Sequence, residues 1–114
     1  TPLQALVLMN DPQYFEASRV FAEKIIKNRV SLKDQITYGF RLSTGRLPKD
    51  EEINVLVELF ENQYQYFLQN RNKAYQILSV GEKPRDQNIF SVKAAAMTMV
   101  ANTLINHNET FTRR

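Results

Sequence analysis

The 114-residue chain has no cysteine, no tryptophan, one histidine and three glycines. Without cysteine there is no disulfide, no thiolate metal site, no cysteine nucleophile and no covalent haem attachment within these residues. With so little glycine there is no phosphate-cradling loop, nucleophile elbow or dinucleotide fingerprint. Long apolar runs are missing too: the longest strongly apolar stretch is Leu6 to Met9, too short to span a bilayer. Thr1-Pro2-Leu3 shows neither an initiator methionine nor a charged-then-apolar leader, so the start reads as a trimmed boundary. The expectation is a domain cut from a longer protein.

What is present is ordinary for a globular protein: 43% hydrophobic and 24% charged residues, in a chain long enough to bury a substantial core. Residues 1–114 are therefore read as one domain. Its net charge of +3 is unevenly placed. Arg19 to Lys49 holds eight basic residues and two acidic ones, whereas Asp50 to Asn70 holds five acidic residues and no basic one. Helices consecutive in sequence tend to pack as neighbours, so these blocks are expected to offset one another inside the domain. A helix-turn-helix around Thr44 to Pro48 is disfavoured, because the following acidic helix would be repelled by DNA. Nucleic acid is not expected as a partner.

Helix signals dominate. Thr1, Pro2 and Gln4 form a start signature for a short helix to about Met9. Asn10 ends it and Asp11-Pro12 opens the next. In that second helix Tyr14, Ala17, Phe21 and Ile25 fall on one stripe, widened by Ala22 and Ile26, with Arg19, Glu23, Lys24 and Lys27 elsewhere, and it ends near Asn28. Ser31 caps a third helix with Leu32, Ile36 and Phe40 on one face, a small Gly39 for a close neighbour, and Gly45 as its left-handed end. Asp50, Glu51 and Glu52 complement the positive end of a fourth, whose stripe is Ile53, Leu56, Val57, Phe60, Tyr64 and Phe67. A short helix from about Lys73 to Ser79 supplies Tyr75 and Leu78. The stretch from Gly81 through Asn88 reads as a mobile loop. A last helix from about Ile89 to Asn106 presents Met97, Val100, Ala101, Leu104 and Ile105 on one side. No strand alternation is found. The fold class is all-α, an irregular bundle of five or six helices.

Candidate chemistry is sparse. His107 and Glu109 are two positions apart and do not share a helix face, so no metal site is assigned. Asp50, Glu51 and Glu52 are accounted for by the helix terminus they flank. Among Phe60, Tyr64, Tyr66, Phe67 and Tyr75, helical spacing favours core over a ligand groove, with Tyr66 the one expected outside. Asn10, Asp11, Arg41, Arg46, Asn106 and Glu109 all fall at helix ends. Arginine's planar fork suits carboxylates, so Arg46 or Arg41 is expected to pair with Asp11 or Glu109 as a structural clamp or docking site.

Three ordered segments carry a resemblance: Thr1-Pro2-Leu3-Gln4-Ala5-Leu6 with Asn10-Asp11-Pro12; Phe40-Arg41-Leu42 with Thr44-Gly45-Arg46 and Pro48; and Leu104-Ile105-Asn106 with Glu109-Thr110. Together they resemble the C-terminal domain of the planctomycete-type PSD family, a domain of unknown function. The chain departs from that pattern at Met97, often tryptophan in the family, and at His107, usually aliphatic. The resemblance implies an origin in a large exported bacterial protein, periplasmic or surface-associated, often carrying a planctomycete-type cytochrome c domain that binds haem upstream. It implies no reaction. The expectation is a non-catalytic, cofactor-free helical module that packs against, or docks partners onto, the upstream domains of the same protein. The alternative is completion of an upstream active site, with Arg41 and Arg46 binding an acidic or sulfated glycan.

Overall fold

A computed structural model of the chain describes residues 12–112, with the side chains of 15–106. The first helix expected from sequence, Thr1 to Met9, lies outside the described residues, as do Asn10 and Asp11. Within them are five helices: α1 (Pro12–Asn28), α2 (Leu32–Thr44), α3 (Asp50–Gln69), α4 (Arg71–Leu78) and α5 (Ser91–Thr112). No strand occurs among the described residues, and the all-α class holds.

The boundaries follow the local chemistry. Proline is favourable at a first helical position, where its missing N–H costs nothing, and α1 begins at Pro12. The Ser31 hydroxyl accepts from the Asp34 N–H at 3.2 Å, satisfying one of the donors that open α2. Gly45 closes that helix at φ 81°, a left-handed conformation in which a Cβ is strained, and its N–H donates to the Arg41 carbonyl at 2.9 Å. At the start of α3 the Lys49 N–H donates to the Glu52 carboxylate at 2.8 Å, with Asp50 and Glu51 beside it in the first turn.

The last helix is the hub. Every other helix packs against α5, and from Ala94 to Asn102 each of its side chains is buried. The single stripe read from Met97 to Ile105 is thus widened to the whole circumference, and three consecutive alanines, Ala94 to Ala96, let neighbours close in on all sides. α2 reaches the core by another small residue. A Cβ on Gly39 would lie 2.6 Å from Ile25 Cδ1 and 3.4 Å from Leu104 Cδ1, so α1, α2 and α5 meet there with no room for a methyl group. Phe40, Ile36, Leu56, Phe60 and Phe67 complete the core.

Two sequence expectations for α1 are corrected. Ala17 is exposed, and Arg19 and Glu23, placed off the apolar stripe, are buried. In α4 Leu78 is buried as expected, but Tyr75 faces solvent and Ala74 takes the inner position.

Candidate functional site

Three polar constellations stand out, and they sit on different elements. The first surrounds the α2–α3 turn. Arg46 follows the Gly45 cap, so its side chain leaves the turn toward the first turn of α3. There it meets Glu52 two-pronged, with Nη1 to Oε1 at 3.0 Å and Nη2 to Oε2 at 2.9 Å. Its guanidinium lies 5.0 Å from the centre of the Phe40 ring, and the Glu52 side chain is 8% exposed. The hydrogen bonds and charge of Arg46, aided by the Lys49 N–H, hold the Glu52 carboxyl down at about 2 against the desolvation that opposes them. Glu52 also raises Arg46 above its ordinary value.

The sequence reading puts Arg46 at a helix end and does not name Glu52 as its partner, because Glu52 is there accounted for by the helix terminus. It does both jobs. The carboxylates considered for Arg46, Asp11 and Glu109, lie outside the residues whose side chains are described. The Asn106 amide donates to the Asn102 carbonyl one turn back at 2.9 Å, and the Arg41 side chain is exposed. Arg46–Glu52 is the ion pair that joins the basic and acidic blocks among the described residues; the other two, Arg19–Glu23 and Lys27–Asp86, do not.

The second constellation was not foreseen. Glu16, Arg19, Glu23 and Lys27 recur at three- and four-residue intervals, so they form one row along α1, and that row grips the segment between α4 and α5. Arg19, 0% exposed, donates to the carbonyls of Lys83 and of Pro84, the latter at 3.4 Å, and to Glu23 at 3.1 Å. Glu23 accepts from the Asp86 N–H at 2.9 Å, and Glu16 from the Lys83 N–H at 2.6 Å. Lys27 pairs with Asp86 at 2.6 Å, which raises the lysine and lowers the aspartate from their ordinary values. The stretch expected to be a mobile loop is therefore tied to α1 at Lys83, Pro84 and Asp86. A buried arginine whose acceptors are mostly backbone carbonyls leaves no motif, since any residue supplies a carbonyl.

The third is an open groove of about 650 Å³ on the outer side of α2, lined by Arg29, Asp34, Thr37, Tyr38, Arg41, Leu42, Gly45 and Leu47. Arg29 stacks over the Tyr38 ring at 4.5 Å and donates to the Asn28 carbonyl at 2.8 Å. The aromatic set of α3 and α4 does not assemble a comparable cleft: Phe60 and Phe67 are buried in the core, whereas Tyr66 and Tyr75 are exposed. Tyr66 is where the sequence put it.

The first constellation and the groove both fall on the segment that decides the family. The profile described as PSD1, protein of unknown function (DUF1553), matches residues 1–60, more than half of the chain. The chain belongs to the PSD1 family. No curated protein and no solved structure matches it. The PSD1 match takes in α1, α2 and the first turns of α3, and with them Arg19, Arg41, Arg46 and Glu52. The last helix, on which those elements pack, lies beyond it. No described helix is long and apolar enough to cross a membrane, and no group of three or more potential metal-ligating side chains occurs among the described residues.

Proposed function

We propose that this PSD1 segment is a non-catalytic helical module that docks the upstream domains of its own protein, a large exported bacterial protein of the cytochrome-c-associated kind, and holds no cofactor itself. The observation that carries the reading is the outer side of α2. Leu42 and Leu47 are 49% and 62% exposed and line a groove that also presents two guanidiniums. Large apolar side chains clustered with arginine on an open surface are the usual composition of a protein contact. The other two constellations are spent on the fold: their charged groups face helix ends and loop backbone.

Lysine crosslinking of the full-length protein tests the proposal. Lys33 and Lys49 are exposed, the first within and the second just beyond the stretch from Arg29 to Leu47 that lines the groove, so they are expected to link to residues upstream of the segment. Crosslinks confined to the segment itself would overturn the docking reading.

The glycan alternative loses one of its two arms. Both terminal nitrogens of Arg46 are engaged by Glu52, and drawing them away would strand a buried carboxylate. That reading therefore rests on Arg41 with Arg29, and it competes for the same groove.

A further inference from the structure

We propose that the α2 groove receives an acidic amphipathic peptide segment, whose carboxylates pair with Arg29 and Arg41 and whose apolar side chains lie against Leu42 and Leu47. The inference rests on the docking reading and names the chemistry of the partner.

Charge comes first. Of the eight basic side chains from Arg19 to Lys49, three have carboxylate partners: Arg19, Lys27 and Arg46. Lys24, Arg29, Lys33, Arg41 and Lys49 form no ion pair among the described residues. Two of these five, Arg29 and Arg41, line the groove. The fork of a guanidinium matches a carboxylate with two parallel hydrogen bonds. Arg29 is already oriented by its stacking on Tyr38 and its bond to the Asn28 carbonyl, so less side-chain freedom is lost when a partner arrives.

The apolar lining decides between classes of anion. Leu42 and Leu47 offer nothing to a sulfated sugar or a phosphate backbone, yet both line the groove and stand largely in water. An amphipathic peptide covers them and presents acids at the same time. Asp34, which also lines the groove, points the same way. It repels a uniform polyanion but tolerates a peptide that places a neutral or basic residue opposite it.

The test is a fluorescence-anisotropy titration of the 114-residue chain with a labelled helical peptide carrying glutamate and leucine on one face. The comparison probes are the same peptide with serine for leucine, the same peptide with lysine for glutamate, and heparin. Arg41→Glu and Leu47→Ser alter exposed side chains, and circular dichroism is to check that each variant keeps its helical fold. Lys73→Glu, on exposed α4 surface, is the control. The expected result is that the glutamate–leucine peptide binds and the other two peptides do not. Arg41→Glu should weaken binding by about tenfold or more, Leu47→Ser should weaken it several-fold, and Lys73→Glu should leave it unchanged. Equal or tighter binding of heparin, insensitive to Leu47→Ser, would assign the groove to glycan and overturn the proposal. So would failure of the glutamate–leucine peptide to bind at millimolar concentration. If upstream crosslinks to Lys33 and Lys49 are nevertheless found in the full-length protein, docking stands and only the acidic-peptide chemistry fails.

Discussion

A fully buried guanidinium is stable only where its charge is met, and Arg19 sets its two terminal nitrogens against one carboxylate and two carbonyls, while its Nε is buried without a hydrogen-bond partner among the described residues. Taking the guanidinium away strands Glu23 at low exposure, and breaking a buried pair from one side costs about 3–5 kcal/mol. Arg19→Met is expected to destabilise the domain by that amount in denaturant titration. Arg19→Met with Glu23→Gln should be less damaging than the single change, since the stranded charge is gone. A double variant as unstable as the single one would mean that the carbonyl contacts carry the effect. Glu52 allows a complementary test. Its folded pKa of about 2 lies below the ordinary 4.5, so its contribution is fully present above about pH 4.5 and is lost as the pH falls toward 2. Glu52→Gln should cost about 1–3 kcal/mol at neutral pH, the range for a partly stranded buried partner. The gap between the variant and the parent chain should close between pH 4.5 and pH 2; a constant gap would refute the pairing as its source.

For the helices, the ends and the apolar stripes are legible in the sequence, and the burial of the charged row on α1 is not. Pro12, Ser31, Gly45 and the Asp50–Glu52 run mark termini by backbone chemistry that acts within a few residues, and such signals survive in a linear sequence. Gly45 gives the sharpest check. With φ at 81° and nothing within 4 Å of where a Cβ would stand, Gly45→Ala has no clash to relieve and should cost about 1–2 kcal/mol from backbone strain alone, with Gly45→Asn costing less. A neutral alanine, measured by thermal melting, would show that the turn relaxes. Burial of Arg19 and Glu23 was invisible for a different reason. Arg19 and Glu23 at i, i+4 look like a solvated helix pair, and what buries them is the backbone of Lys83, Pro84 and Asp86, more than 60 residues away. The same distance hid the anchoring of that loop. At the α2 cap the sequence found Arg41 and Arg46 but could not tell which faces outward, because Glu52 sits six residues on from Arg46 across a turn whose path depends on Gly45.

Over the whole molecule, α5 determines how change is tolerated. Its side chains are buried all around from Ala94 to Asn102, so enlarging one has no solvent side to escape to. Ala95→Leu or Ala101→Leu is expected to destabilise by about 1–3 kcal/mol through overpacking, whereas exposed changes on α4 such as Lys73→Ala should stay within about 0.5 kcal/mol. Equal tolerance at these sites would contradict the central placement of α5. That placement also has a consequence for synthesis. Ribosomes release a chain from its beginning, yet here four described helices precede the one they all pack upon. Until Ser91 and the residues after it have left the exit tunnel, α1 to α4 have apolar faces and nothing central to cover them. The described helices thus complete their packing only after α5 emerges, and a nascent chain stalled before α5 is a natural client for chaperones.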